Sequence, residues 1–213
     1  IGRYALLTLG TDVAGQTVFG QLNVAIGQSA LQSQNNDSMN TAVGANCLPS
    51  CTTGNLNVAV GRLANNSLTT GSQNVTIGYS AAQTATTAQN CVTIGYNSSP
   101  SSNTSSHQVT LGNSSTNNLR CADTSISSLS DARDKTDIID LSVGLDFINS
   151  IRPVKFKWQT REGVASKDGK VRAGFIAQEL QEAQKGSEYL DLVMDDNPEK
   201  LEAKQGKLIP VLV

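Results

Sequence analysis

"NVAIG" at residues 23–27 returns at a fixed spacing along the first half of this 213-residue chain. Related pentapeptides that end in glycine begin at successive intervals of 17 residues, at Asn40, Asn57, Asn74, Cys91 and Gln108. One period before the first copy stands "LLTLG", which begins at Leu6. A repeat of this length predicts one small structural unit per period, stacked on its neighbours into a solenoid.

Each copy carries large apolar residues two positions apart, such as Val24 and Ile26 or Val75 and Ile77. This alternation predicts a short strand that buries the Val and Ile side chains, with the intervening Ala or Thr on the other face. The glycine predicts a sharp bend, and the Asn, Ser, Thr and Gln between copies predict turns. A disordered Ser- and Asn-rich linker is the alternative, but the strict period favours the solenoid.

The rungs of such a solenoid have a thin apolar core, and a single coil with few large side chains is marginally stable. We therefore expect three chains to associate about a common axis. The repeats resemble the Asn-x-Ala-x-Gly repeats in the heads of trimeric bacterial adhesins, and similar repeats in phage tail fibres, over residues 6–112. The expected fold is mainly β, a homotrimeric parallel β-solenoid or β-roll with a 17-residue repeat, followed by a small α+β domain.

Tyr79 and Tyr96 follow the glycine of adjacent copies, so we expect their rings to form a ladder. Stacking that stabilises neighbouring rungs is the favoured interpretation. The alternative is an aromatic platform that faces a saccharide ligand.

Charge is distributed unevenly along the chain. Of 16 Lys and Arg residues only Arg3, Arg62 and Arg120 lie in residues 1–120, and of 18 acidic residues only Asp12 and Asp37 do. Two regions with different physical chemistry are indicated. The net charge of −2, without a basic stripe, argues against a nucleic-acid partner. No apolar run approaches the ~20 residues of a membrane helix, so no membrane insertion is expected.

The cysteines are Cys47, Cys51, Cys91 and Cys121, and His107 is the only histidine. A structural zinc site needs four well-spaced Cys or His ligands, so no metal and no cofactor are expected. Small buried side chains are the favoured interpretation of the cysteines.

After Asp131 the pattern becomes that of an ordinary mixed domain. Its predicted elements are a helix within 141–151 capped by Ser142, strands at 154–158 and 170–177 joined by a turn at 162–170, and a helix at 177–184.

Four motifs follow one another in this region: "SDARDK" (130–135), "IRPVKFKW" (151–158), "AGFIAQEL" (173–180) and "KLIPVLV" (207–213). In this order they resemble the peptidase S74 domain, also called the intramolecular chaperone auto-processing domain, of phage tail fibres and tailspikes. The resemblance covers residues 128–213. In that family a long trimeric coiled-coil helix follows the last motif, and this chain lacks it. The implied domains are a fibre region (1–120), a linker (121–129) and a chaperone domain (130–213).

The resemblance implies self-cleavage of the Leu129–Ser130 bond, with Ser130 as nucleophile and Lys135 as general base. Asp131 and Arg133 would hold the turn or a neighbouring chain. A serine hydroxyl needs a base, and lysine can serve when burial lowers its pKa. On a helix, residues five apart lie about 140° apart, so the segment must be a turn or loop, or Lys135 must serve a neighbouring chain. Alternatively, Ser130 or Asp131 merely caps a helix.

The implied function is that of a homotrimeric phage tail fibre or tailspike with a chaperone that cuts itself off in a single turnover. Its location would be the virion, after assembly in the host cytoplasm. Its partners would be other tail proteins and a host-surface receptor, expected to be a saccharide. The alternative is a non-cleaving fibre whose C-terminal domain stays as a trimeric cap. A polysaccharide depolymerase is a weaker interpretation, because the repeats offer only Asp12 and Asp37 as paired acids.

Overall fold

The computed structural model describes residues 22–34, 39–122, 127, 129–159 and 166–212. The chain divides into two compact units, Ile1–Ala122 and Asp123–Val213. The copy of the repeat that begins at Leu6 lies outside the described residues.

Six three-residue strands form one parallel sheet in the described part of the first unit, one strand per repeat. They are β1 (Val24–Ile26), β2 (Thr41–Val43), β3 (Val58–Val60), β4 (Val75–Ile77), β5 (Val92–Ile94) and β6 (Val109–Leu111). Each strand pairs with the next one in the sequence. Every residue lies opposite its equivalent in the next repeat, as Ala42 lies opposite Ala59. The predicted parallel β-solenoid with a 17-residue period is therefore confirmed.

The large apolar side chains of the strands lie on the outside of the coil, so the prediction that this face is buried is wrong. The exposed fraction is 46% for Val24, 49% for Ile26 and 70% for Val109. The middle residue of the strand points inward instead, and Ala59 and Thr76 are at most 1% exposed. Because a coil of so few residues has a narrow interior, small side chains fill it at the close packing that protein interiors require.

Small side chains three positions after the bend glycine complete this interior. Those that are fully buried are Ala30, Cys47, Ala64, Ala81 and Ser98. The largest apolar side chains buried in the coil are Leu31, Leu48 and Leu68.

A ladder of asparagine side chains also runs through the interior, at the first position of the repeat. Asn57 donates from its side chain to Asn40 Oδ1 at 3.1 Å and to the Gly71 carbonyl at 2.9 Å. Its own Oδ1 accepts from the backbone and the side chain of Asn74, both at 3.0 Å. Asn74 Oδ1 accepts in turn from the backbone N–H of Cys91 at 3.0 Å. Buried amides of this kind are stable because each finds its partners inside the coil.

The glycine after each strand meets two requirements at one position. Gly61 has a φ of +134°, which side chains with a Cβ rarely adopt. A Cβ at Gly61 would also lie 2.4 Å from the carbonyl oxygen of Gly78 in the next rung. The bend and the close stacking of rungs therefore both need glycine.

The described part of the second unit is a small mixture of short helices and strand pairs. In chain order its elements are a 3-10 turn (Ala132–Asp134), α1 (Leu145–Ser150), β7 (Val154–Gln159), β8 (Ser166–Gly174), α2 (Ala177–Ala183), a 3-10 turn (Glu188–Leu190), β9 (Val193–Met194), β10 (Glu202–Ala203) and a 3-10 segment (Gln205–Val211). β7 pairs with β8 and β9 with β10, both antiparallel. In the described ranges no helix is long and apolar enough to cross a membrane.

Two local predictions in this unit need correction. The N-cap of α1 is Gly144 and not Ser142. The Ser142 hydroxyl lies 3.3 Å from the Tyr189 hydroxyl, so it has a partner other than the helix backbone. β8 begins at Ser166, inside the segment predicted as a turn.

A hydrophobic cluster forms the core of the second unit, and its buried members are Leu180, Leu190, Leu192, Val193, Leu208 and Val211. Asp191, between two of these residues in the sequence, has a φ of +51°. Lys204 and Lys207 contact its carboxylate at 2.6 Å and 3.3 Å. The hydrogen bond from Lys204, followed by the contact with Lys207, holds the pKa of Asp191 below its usual value. These contacts join the segment after α2 to the segment after β10.

Candidate functional site

Ser130 and Lys135 flank the 3-10 turn Ala132–Asp134. A backbone hydrogen bond of 3.2 Å from Lys135 to Ala132 closes the turn. Lys135 then continues in extended backbone, with φ −126° and ψ 143°. Its Nζ donates a hydrogen bond of 2.5 Å to Ser130 Oγ. The turn thus brings together two side chains that a continuous helix would hold apart.

Asp131 organises this turn. One carboxylate oxygen, Oδ1, accepts from the Arg133 backbone N–H at 2.9 Å and from Arg133 Nε at 3.0 Å. The other, Oδ2, accepts from Arg133 Nη2 at 2.6 Å. The side-chain hydrogen bonds from Arg133, followed by its backbone N–H, lower the pKa of Asp131. Asp131 is therefore an N-cap, as one interpretation of the sequence expected, and the same turn also juxtaposes Ser130 and Lys135.

The site is open to solvent in the single chain. Ser130 and Lys135 are both exposed, and the Leu129 side chain is 100% exposed. The peptide bond between Leu129 and Ser130 is therefore accessible. The burial of Lys135 that activation was expected to need is not supplied by the described residues of one chain.

A second cluster lies in the turns after β3, β4 and β5. The rings of Tyr79 and Tyr96 stack with centroids 5.6 Å apart and planes 13° apart, so the predicted ladder is confirmed. Arg62 extends it by one rung: its Cζ lies 5.6 Å from the Tyr79 ring centroid, and its Nη1 donates to Tyr79 Oη at 3.1 Å. The sequence prediction missed Arg62, although it too follows the bend glycine and stands one period before Tyr79.

The cysteines are thiols in two environments. Cys47, Cys51 and Cys91 are buried and Cys121 is exposed. Burial raises the pKa of the Cys47 thiol to about 12, so this thiol is not ionised near neutral pH. Among the residues that the structure describes, no group of three or more His, Cys, Asp and Glu side chains is placed to hold a metal ion.

Comparison with known proteins places the second unit in a family context. Residues 130–189 match the model of the Peptidase S74 family, described as chaperone of endosialidase. The match begins at Ser130 and is to the family that the four sequence motifs resemble. The comparisons with curated proteins and with solved structures each gave no match.

Proposed function

We propose that residues 130–213 are an intramolecular chaperone that assembles a trimeric tail fibre and then detaches by cutting the Leu129–Ser130 bond. The single observation that carries this proposal is the 2.5 Å hydrogen bond between Lys135 Nζ and Ser130 Oγ, inside the segment that matches the chaperone family. The match supports the chaperone role, and the contact supports self-cleavage.

The proposed reaction needs only this chain and water. Neutral Lys135 takes the proton of the Ser130 hydroxyl, and Oγ attacks the carbonyl carbon of Leu129. The bond from that carbon to the Ser130 nitrogen breaks, and the nitrogen takes the proton from Lys135. An ester then joins Leu129 to Ser130 Oγ. Water hydrolyses the ester and leaves a Leu129 carboxylate and a Ser130 with a free amine.

Asp131 and Arg133 act as positioning residues in this scheme. Their charged hydrogen bonds hold the turn that directs Lys135 at Ser130. Both side chains are exposed, so we assign them a geometric role rather than a contribution to stability.

Solvent exposure of the pair supports a link between cutting and assembly. A lysine in water keeps its proton, and desolvation favours the neutral form. Since the described residues of one chain leave Lys135 exposed, we propose that a neighbouring chain covers the turn once three chains have assembled. Cutting would then follow correct association.

The outer face of the solenoid supports the trimer. The apolar stripe consists of the outward strand residues, whose most exposed members are Val24, Ile26, Val58, Ile77, Ile94, Val109 and Leu111. A continuous exposed apolar surface on a regular rod marks a surface for association. Because every rung presents the same face, equivalent surfaces of further copies can pack against it along the whole rod.

The chaperone role answers a folding problem of this solenoid. Every strand pair joins residues 17 apart, and three chains must also find one common register. Assembly of this kind nucleates slowly and exposes strands to wrong pairing. A C-terminal domain that aligns the chains would remove this obstacle. Its loss would then leave a fibre that is kinetically hard to unfold, suited to the virion tail, to contact with other tail proteins and to host attachment.

The decisive experiment measures the intact mass of freshly expressed protein under denaturing conditions. The wild type should give two fragments that meet at Leu129 and Ser130, whereas Ser130→Ala and Lys135→Ala should stay uncut. The matched controls Ser127→Ala and Lys157→Ala alter an exposed serine and an exposed lysine outside the pair, and should cut at the wild-type rate. Hydroxylamine should trap the ester as a hydroxamate at Leu129. Cutting of both Ser130→Ala and Lys135→Ala at the wild-type rate would refute the dyad.

The exposure of Ser130 and Lys135 also favours a second candidate, a fibre whose C-terminal domain remains as a permanent trimeric cap. A wild-type protein that is intact and trimeric after prolonged incubation would support this candidate. The solenoid would then owe its register to a domain that stays attached.

A further inference from the structure

The Arg–Tyr column, formed by Arg62, Tyr79 and Tyr96, has a property that stacking alone does not explain. Arg62 is the only formally charged side chain in residues 22–34 and 39–119. It lies on the exposed surface, at one end of an aromatic stack. A guanidinium beside a ring is weakly hydrated and presents a planar set of donors. One of its nitrogens donates to Tyr79, which leaves donors for a carboxylate.

An acidic partner for Arg62 is scarce within the repeats. Before residue 120 the sequence has only Asp12 and Asp37 as acids. Copies of the solenoid packed side by side therefore bring few carboxylates to this position. A carboxylate bound at Arg62 would come from another molecule.

The aromatic part of the column indicates which kind of molecule. Tyr79 has one face against Arg62 and the other against Tyr96, so it offers its ring edge and hydroxyl. Tyr96 is 62% exposed, and Tyr79 is 42% exposed. Aromatic rings with a polar tip suit sugars, which combine apolar C–H faces with hydroxyl groups.

The spacing of the column also fits a glycan. Successive rungs lie about 4.8 Å apart, close to the length of one pyranose residue in an extended chain. We infer that the Arg–Tyr column binds a linear, carboxylate-bearing saccharide laid along the rod, with a carboxylate at Arg62 and successive sugars at Tyr79 and Tyr96. The inference rests on the fibre role proposed above, but not on self-cleavage.

The column lies beyond the apolar stripe, in the turns that follow the strands. Gly78 and Gly95, with φ of +134° and +128°, bend the chain before each tyrosine. The stripe and the column are therefore separate parts of the surface, and the column can stay accessible when the stripe is covered.

The test is binding of the full-length trimer to an immobilised panel of uronic-acid and ulosonic-acid oligosaccharides, each beside its methyl ester. The wild type should retain at least one acidic glycan, and its methyl ester should bind at least about tenfold more weakly, as expected for a lost charged hydrogen bond. Arg62→Gln and Tyr96→Ala should each lower the affinity by at least about tenfold. Arg120→Gln, which removes an equal charge outside the column, should bind like the wild type.

Four results would overturn the inference. These are a wild type that retains no carboxylate-bearing glycan, methyl esters that bind as tightly as the acids, an Arg62→Gln variant that binds like Arg120→Gln, and an Arg62→Gln variant that no longer forms the wild-type oligomer. The last result would make Arg62 a structural residue. Cut and uncut protein are assayed alike, so a failure of self-cleavage alone would leave this outcome distinct.

Discussion

Asp131 shows how much of the candidate chemistry depends on one exposed side chain. Its carboxylate binds both the backbone and the guanidinium of Arg133, and it caps the turn that brings Lys135 to Ser130. A residue that fixes the geometry of a reacting pair can control the rate without touching the reacting atoms.

We predict that Asp131→Ala slows cutting by about tenfold or more, because Lys135 then samples positions away from Ser130. Asp131→Asn should slow it less, since the amide oxygen can still accept from the Arg133 backbone. The measurement is the rate at which the two fragments form. Asp140→Ala, at an exposed acid outside the turn, is the control, and equal rates for Asp131→Ala and Asp140→Ala would contradict the positioning role.

The pH dependence follows from the direction of the Asp131 shift. Arg133 lowers the pKa of Asp131 in the folded turn. The contribution of the carboxylate to the turn is therefore present above its unfolded pKa, and it is lost only as the pH falls through the lowered folded value. We expect no decline of the cutting rate from Asp131 on acidification to about pH 5.

The sequence predicted the site's geometry better than its environment. The five-residue spacing of Ser130 and Lys135 excluded a continuous helix, and the structure has a 3-10 turn there. Burial could not be predicted in the same way, because it depends on which surfaces meet in space. The Ser142 cap was missed for the same reason, since Tyr189 is 47 residues away in the sequence.

At the scale of the element, the solenoid rung is organised by its polar residues. Asn40, Asn57 and Asn74 satisfy one another and the neighbouring backbone inside the coil. The outer Val and Ile side chains then become available for association. A period-two alternation cannot say which face is inside, so the sequence predicted the strands correctly and their orientation wrongly. The recurrent asparagine was the signal for the interior.

We predict that Asn57→Ala lowers the free energy of unfolding by about 3 kcal/mol, because it leaves buried partners above and below without hydrogen bonds. Asn66→Ala, which removes a single 3.4 Å contact at a partly buried position, should cost less than about 1 kcal/mol. Chemical denaturation followed by circular dichroism compares the two. Equal losses would show that the ladder has no special role.

At the scale of the whole molecule, the apolar stripe and the exposed Ser130–Lys135 pair fit the same interpretation. Each is a feature of one chain that lacks its full environment within the described residues. Association of three chains would cover the stripe and desolvate the pair.

We predict that the double variant Ile77→Lys, Ile94→Lys weakens self-association by at least about a hundredfold, because it buries unpaired charges at the proposed interface. Each chain should keep its solenoid, since both side chains point out of the coil. Light scattering gives the mass of the assembly. Thr84→Lys, at an exposed turn position, is the control, and a double variant as trimeric as this control would exclude the stripe as the interface.

The constant 17-residue step between paired strands has a consequence for how such a rod changes over generations. Each rung recognises only the rung before and the rung after it. Unequal recombination between neighbouring repeats of the coding sequence would therefore lengthen or shorten the rod by whole rungs and leave every remaining contact in register. A loss of any other length would shift asparagines out of the interior and glycines out of the bends. Reach is thus inherited in discrete steps, and a lineage can adjust it without redesigning any surface.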